Sequence, residues 1–157
     1  MNDSPAGRRL DTTTQDVRDL IINSWWNVDH EAAVGGEHYF TPDGVCQMPA
    51  ITMTGREEIA AGYAKRQSAG ARLSRHLVTN LVVHQDDDLH ARARYVLTLY
   101  AVRGRQPGLL TEPQAVVDVV DQCVHEDGRW LIEHRLLTSV FISASNDSVM
   151  LEPRHDD

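Results

Sequence analysis

Three long segments with alternating apolar residues dominate the second half of the chain, at residues 89–102, 114–125 and 129–142. Successive side chains of a β-strand point to opposite faces, so this alternation predicts strands with one buried face. The Glu-Asp-Gly-Arg sequence at 126–129 is typical of a hairpin turn, which makes the last two strands antiparallel neighbours. A further strand is predicted over residues 76–84.

Segments with helical periodicity lie earlier in the chain. One apolar stripe predicts a helix over residues 13–28; its members are Val17, Leu20, Ile21, Trp25 and Val28. Thr54 and Glu57 form a capping box that opens another helix, which Gly70 can end. A short helix over 31–40 is weakened by two adjacent glycines. Helices followed by strands predict an α+β domain, in which helices pack on a curved antiparallel sheet and leave a cone-shaped pocket.

The domain organisation is simple, because 157 residues suit one domain. We expect residues 12–142 to form it. The polar segment 1–11 is predicted to be disordered, and 143–157 to be a loose polar tail. Within the domain, a turn is predicted at 41–44, followed by a short edge strand at 45–49.

Composition narrows the functional classes. The net charge is 15 − 23 = −8 with no basic cluster, which argues against nucleic acid as a partner. No apolar run is long enough to span a membrane, and the N-terminus lacks the apolar core of a signal peptide, so we expect a cytoplasmic protein. Cys46 and Cys123 are expected to be reduced, buried thiols. The eight histidines show no ligand spacing and no nucleotide motif is present, so neither a metal nor a cofactor is expected.

Several short motifs occur in a defined order along the chain: Trp-Trp-Asn-Val-Asp at 25–29, Phe-Thr-Pro-Asp-Gly at 40–44, Gly-Arg-Glu-Glu-Ile at 55–59, Arg-His-Leu-Val-Thr-Asn at 75–80, Asp-Gly-Arg-Trp at 127–130 and Arg135. Over about residues 13–142 the chain resembles the nuclear transport factor 2-like superfamily and, within it, the SnoaL-like group. That resemblance implies a cone formed by a bent antiparallel sheet and three helices. It also implies a small hydrophobic ligand and a homodimer formed through the sheet.

One subgroup is similar to this chain at two positions. Scytalone dehydratase and hexachlorocyclohexane dehydrochlorinase have an aspartate at the end of the first helix and a histidine at the start of a strand, which correspond to Asp29 and His76. The resemblance implies that this pair abstracts a proton. The chain lacks the dehydratase's second histidine within 91–100 and the dehydrochlorinase's arginine within 114–125, so substrate and reaction do not carry over.

The chemistry of the pair can also be judged from the residues. On a helical wheel Asp29 flanks the apolar stripe beside Trp25, where a partly desolvated carboxylate needs a partner. An imidazole that donates one proton to Asp29 would keep its other nitrogen as a base. The alternatives are a solvent-exposed helix end or cap for Asp29, and a hydrogen-bonded residue at a strand end for His76.

Further residues are candidates for contact with a substrate. Strand alternation places Asn80 on the face of His76, where it could enter the pocket or bond to backbone near the helices. Tyr95 and Tyr100 lie on opposite faces, so at most one can face the pocket. Arg135 could hold an anionic or carbonyl group, or form a salt bridge with an acidic residue. The remaining candidates, which are equally consistent with wall and core packing, are Trp25, Trp26, Tyr39, Met48 and Tyr63.

Three functions are consistent with these residues. The first is a small cofactor-independent lyase, isomerase or cyclase that abstracts a proton from a hydrophobic cyclic or polyketide-like molecule. The second is a non-catalytic module that binds a small molecule. The third is an accessory subunit, similar to the small subunits of aromatic-ring dioxygenases. The distance between the Asp29 carboxylate and the His76 ring discriminates the first from the second, because a hydrogen-bonded pair inside a closed apolar pocket favours the enzyme. Co-purification with a larger iron protein would support the third.

Overall fold

The computed structural model describes residues 12–109, 112–145 and 151. The segment 1–11 and most of the segment 143–157, both predicted above to lack order, fall outside the described residues. The elements in chain order are α1 (Thr13–His30), a 3-10 helix (Gly36–Tyr39), β1 (Phe40–Gln47), β2 (Thr52–Thr54), α2 (Gly55–Ser68), β3 (Arg72–Gln85), β4 (His90–Arg103), β5 (Ala115–Glu126) and β6 (Arg129–Ile142). None of the helices described is both long and apolar enough to cross a membrane.

The strands form one six-stranded sheet in the order β2-β1-β6-β5-β4-β3. All pairs are antiparallel except β1 and β6, which are parallel. The predicted edge position of segment 45–49 is therefore wrong, because β1 lies between β2 and β6. The predicted turn at 41–44 is absorbed into β1, whose register with β6 shifts between Phe40 and Val45. Gly44 permits this close approach, since a Cβ there would lie 3.0 Å from the carbonyl oxygen of Ile132.

The helices differ from the predictions mainly at their ends. α1 extends to His30, and the chain then turns through Ala32 and Ala33, both with positive φ. A helix cannot continue through such residues, so the predicted helix over 31–40 reduces to one 3-10 turn.

At the start of α2, Glu58 instead of Glu57 accepts the backbone N–H of Thr54, at 2.7 Å. The Thr54 side chain makes no capping bond. Gly55, the first residue of α2, has φ +80, so the start of the helix lacks the backbone geometry that the predicted capping box requires.

The core lies between α1 and the concave face of the sheet. The predicted stripe of α1 is buried throughout, from Val17 to Val28. Every second residue of β4 from Ala91 to Ala101 is buried as well, as the alternation predicts. Cys46 and Cys123 are both buried and form no disulfide. The α+β class and the curved sheet are as predicted, but two α-helices and a 3-10 turn stand where the resemblance implied three helices.

Strand β3 begins four residues before the predicted start, so His76 lies inside the strand instead of at its mouth. Its register with β4 shifts at Asn80, which has φ +54. This β-bulge reverses the face on which residues are buried: Ser74, His76 and Val78 point inward before it, and Leu81 and Val83 after it. Asn80 is consequently exposed, and the prediction that it shares the face of His76 is wrong.

Candidate functional site

Asp29 and His76 meet where the last turn of α1 packs on β3. The carboxylate oxygen Oδ1 of Asp29 lies 2.7 Å from His76 Nδ1, and Oδ2 accepts the backbone N–H of His76 at 2.6 Å. Both side chains are almost completely buried, at 4% and 10% exposure. The two contacts fix both the position of the strand and the plane of the imidazole relative to the helix.

Two residues that the sequence analysis did not identify complete this cluster. The hydroxyl of Ser74 donates to Asp29 Oδ1 at 2.8 Å, and Arg66 Nη2 donates to the same hydroxyl oxygen at 2.9 Å. Ser74 precedes His76 by two residues on one strand face, so strand alternation could have placed it here. Arg66 lies on α2, and no sequence pattern connects it with the pair.

The protonation states follow from the surroundings. Burial raises the pKa of Asp29, but the hydrogen bonds and charge of His76, together with the bond from Ser74, outweigh burial and leave the pKa lowered. Burial lowers the pKa of His76, partly offset by Asp29, while the charges of Arg66 and Arg72 lower it further. An ionised carboxylate can only accept hydrogen bonds, so His76 Nδ1 carries the proton and Nε2 is left with a lone pair.

His76 forms part of the wall of an enclosed, mainly apolar cavity of about 60 Å³. Its ring stacks on Trp25 with centroids 4.7 Å apart. Four of the predicted contact residues line this cavity: Trp25, Met48, Tyr63 and Arg135. The rest of the lining is Val28, Cys46, Met53, Gly62, Arg66, Arg72, Leu97, Leu99, Val117, Leu137 and Leu151. Leu151 is 7% exposed, so at this residue the predicted loose tail is packed against the domain.

Arg135 belongs to a second buried cluster, which also contacts Trp25. Its guanidinium donates to both oxygens of Asp121, at 2.7 and 2.8 Å, and to Ser24 Oγ at 3.0 Å. The salt bridge considered for Arg135 in the sequence analysis is therefore present. Because its charge is neutralised by Asp121, Arg135 does not offer a cation to a ligand in this arrangement.

Tyr95 and Trp25 complete the second cluster. The Tyr95 hydroxyl donates to Asp121 Oδ2 at 3.0 Å and accepts from Trp25 Nε1 at 2.8 Å. The Arg135 guanidinium lies 4.5 Å from the centroid of the Trp25 ring. Of Tyr95 and Tyr100, which were predicted to lie on opposite faces, Tyr95 is the one that points into the core. Its side chain does not line the cavity.

Three predicted contact residues lie away from the cavity. Trp26 is 56% exposed and stacks on His30, because it is one residue, or about 100°, further round α1 than Trp25. Tyr39 ends the 3-10 helix and lines a surface pocket near the N-terminal half of α1. Asn80 points to solvent because of the β-bulge. All three candidates for substrate contact therefore lie outside the lining of the cavity beside His76.

The sequence and the fold can be compared with those of known proteins. The sequence model of the SnoaL-like domain matches residues 11–136, which is most of the chain. This chain belongs to the SnoaL-like domain family. Among curated proteins, no sequence match was found. Within the part of the SnoaL-like chain that the structure describes, no group of three His, Cys, Asp or Glu side chains is arranged to hold a metal ion.

Solved structures resemble the SnoaL-like chain in fold. A scytalone dehydratase-like protein from Novosphingobium aromaticivorans is 15% identical, with a TM-score of 0.71 over 82% of this chain and 85% of that chain. A protein of unknown function with a cystatin-like fold from Nostoc punctiforme is 21% identical, with a TM-score of 0.69 over 85% and 92%. ActVI-ORFA from Streptomyces coelicolor is 20% identical, with a TM-score of 0.69 over 80% and 96%. At these identities the likeness concerns the fold alone.

Proposed function

We propose that this protein is a small cofactor-independent enzyme in which His76, oriented by Asp29, removes a proton from a hydrophobic cyclic or polyketide-like molecule. The observation that carries the proposal is the 2.7 Å contact between Asp29 Oδ1 and His76 Nδ1 at the wall of an apolar cavity. A buried base with its second nitrogen unprotonated is the arrangement that general base catalysis requires.

The reaction starts when Nε2 of His76 takes a proton from a substrate carbon, whose C–H electron pair stays on the substrate. Asp29 stabilises the resulting imidazolium, and the dry surroundings strengthen that attraction. The retained electron pair can expel a leaving group from the adjacent carbon, be reprotonated elsewhere, or attack a carbonyl of the same molecule. These outcomes are an elimination, an isomerisation and a ring closure.

The size of the cavity defines what must move before a cyclic substrate can bind. A cavity of about 150 Å³ holds benzene, whereas the cavity beside His76 measures about 60 Å³. Met48 and Met53 both line it, and methionine side chains adapt their shape easily. In our proposal the structure represents a closed state, and a ligand displaces these two side chains.

Proton abstraction can be tested without knowing the natural substrate. Cyclic ketones and aromatic polyketide analogues are incubated with the protein in deuterium oxide, and exchange of α-hydrogens is followed by NMR. We expect exchange with the wild-type protein and a loss of about 10²- to 10⁴-fold in His76→Ala, the range for a general base. His84→Ala is the matched control, because His84 lies on the same strand and is exposed.

A second candidate is a non-catalytic binding module or an accessory subunit. The small volume of the cavity favours the accessory subunit in particular, since about 60 Å³ leaves room only for a very small ligand unless side chains move, and a subunit of this kind needs no ligand of its own. Exchange that is equally fast in the wild-type protein and in His76→Ala contradicts the enzyme. Tight binding of a ligand without any exchange supports the module instead.

We also propose a homodimer formed through the outer face of the sheet. Phe141 of β6 is 68% exposed and pairs with the half-buried Val116 of β5, which gives this face an apolar contact point. Light scattering should give twice the mass of one chain. Phe141→Asp should shift the mass toward the monomer, and an unchanged monomeric mass in both proteins contradicts the dimer.

A further inference from the structure

Proton abstraction from carbon leaves negative charge on the substrate, so the site needs a donor that stabilises this charge. This inference rests on the function proposed above. Three arginines line the cavity: Arg66, Arg72 and Arg135. Arg72 adds positive charge to the same wall, since its charge lowers the pKa of both Arg66 and His76. Arg135 and Arg66 differ in their hydrogen-bond partners.

Arg135 is unsuitable as an anion-binding residue. Its guanidinium is 1% exposed, and two of its nitrogens are bonded to Asp121. A substrate oxygen would have to compete with a carboxylate that is already held in a two-point contact. Breaking such a buried pair is costly, so Arg135 keeps its partner when a ligand enters.

Arg66 is suitable for this role. It is half-buried on α2, lines the cavity together with His76, and donates one hydrogen bond, from Nη2 to Ser74. Across the described ranges no carboxylate lies within 4 Å of its guanidinium. The pKa of Arg66 is lowered, mainly by burial. A guanidinium has five N–H donors, so most of its donor capacity is available to a ligand.

The position of Arg66 relative to the base is fixed. Ser74 links the guanidinium to Asp29, and Asp29 in turn holds the imidazole of His76. Arg66 and His76 are therefore connected by three consecutive hydrogen bonds while both line the cavity. Because both side chains line one cavity, a single bound molecule can contact His76 and Arg66 together.

We infer that Arg66 binds the oxygen of a carbonyl group in the substrate, and that His76 abstracts a proton from the carbon next to that carbonyl. The C–H electron pair forms a C=C bond, the C=O electrons move to oxygen, and the proton goes to His76 Nε2. Arg66 stabilises the resulting enolate. The substrate class is thus an enolisable cyclic ketone, ester or related carbonyl compound.

The test compares two probes of the same shape and different charge. Benzoate resembles the enolate in carrying charge on oxygen, and benzamide is its neutral counterpart. Binding is measured at pH 8 by quenching of tryptophan fluorescence, since Trp25 lines the cavity. We expect the wild-type protein to prefer benzoate by roughly 10- to 100-fold, the usual gain from a charged hydrogen bond.

Substitutions at Arg66 test whether this residue causes the preference for benzoate. Arg66→Gln should abolish the preference for benzoate, and Arg66→Lys should keep part of it. Lys65→Gln is the matched control, because it removes an exposed charge from the neighbouring position of α2 and should leave the preference intact. Thermal unfolding of each variant verifies that it is folded.

His76→Ala distinguishes a failure of this inference from a failure of the proposed function. If Arg66 is the anion-binding residue, His76→Ala loses deuterium exchange but keeps the preference for benzoate. A wild-type protein without that preference, or an Arg66→Gln variant that retains it, overturns the assignment to Arg66. Neither result affects the role of His76 as a base.

Discussion

Two buried carboxylates, Asp29 and Asp121, belong to two clusters that both contact Trp25, and their partners differ. Asp121 is 0% exposed, and its main partner is a guanidinium that stays charged at every accessible pH. Asp29 is paired with an imidazole, whose charge can change near neutral pH. The same carboxylate chemistry therefore gives a permanent structural ion pair in one place and a titratable pair in the other.

Trp25 contacts both clusters. Its ring stacks on His76, and the Arg135 guanidinium lies 4.5 Å from the ring centroid. Its indole N–H is bonded to Tyr95, which in turn bonds to Asp121. The second cluster thereby fixes the ring against which the imidazole packs. The comparison suggests that the Asp121 cluster contributes mainly to stability and the Asp29 cluster mainly to chemistry.

The largest effect on stability is expected from Asp121→Ala. The substitution leaves the Arg135 charge buried without its partner, which costs about 3–5 kcal/mol of unfolding free energy. Urea denaturation measures the loss, and Asp118→Ala on the exposed face of β5 is the control. If Asp121→Leu combined with Arg135→Met is no more stable than Asp121→Ala alone, the unpaired charge is not the cause.

A smaller loss of stability is expected from Asp29→Ala. The variant leaves the backbone N–H of His76 and the Ser74 hydroxyl without their acceptor, at a cost of about 1–3 kcal/mol. Deuterium exchange should nevertheless fall strongly, because the imidazole loses its orientation. A variant that loses more stability than Asp121→Ala, or that keeps full exchange, contradicts the division between the clusters.

The free energy of unfolding should depend on pH through the imidazole of His76. The pKa of His76 is lowered below 6.5 in the folded state, so the unfolded chain binds the proton more tightly. Stability is then complete above pH 6.5 and falls as the pH drops below this value, by at most about 1.4 kcal/mol per pH unit for one group. Urea unfolding between pH 8 and 5 measures this slope.

The control for the pH experiment is a comparison of two histidine variants. His76→Gln should flatten the slope between pH 6.5 and 5, and His84→Gln should leave it unchanged. Below this range, Asp29 adds a further loss, because its pKa is also lowered from 3.8 and protonation of the carboxylate favours the unfolded chain. An unchanged slope in His76→Gln would mean that another group is responsible.

The smallest effect is expected from Trp25→Phe. The variant keeps an aromatic ring against His76 but removes the hydrogen bond from the indole to Tyr95, at a cost of about 1 kcal/mol. The pH profile of deuterium exchange should not move. A shift of this pH profile would show that the Asp121 cluster changes the pKa of His76. The two clusters would then not act independently.

Strand alternation and helical periodicity predicted the architecture, because both are local properties of the sequence. The contact between Asp29 and His76, 47 residues apart, was implied by the family resemblance, since no local pattern specifies it. The sequence analysis missed the bulge at Asn80, since one residue with positive φ inside an apolar run leaves no compositional mark. It also missed Arg66, because the approach of α2 to β3 depends on tertiary packing. Asp121 could have been found: it occupies an inward position of an otherwise apolar strand face.

The bulge in β3 has a consequence for the edge of the sheet. β3 is an outermost strand with only one hydrogen-bonded neighbour, and such strands invite pairing with other chains. The carbonyl of Leu81, displaced at the bulge, accepts a hydrogen bond from Arg18 of α1 at 3.0 Å, and Asp29 holds the backbone of the same strand further along. The first helix thus occupies two backbone groups of this edge strand, which leaves fewer of them for pairing with another chain.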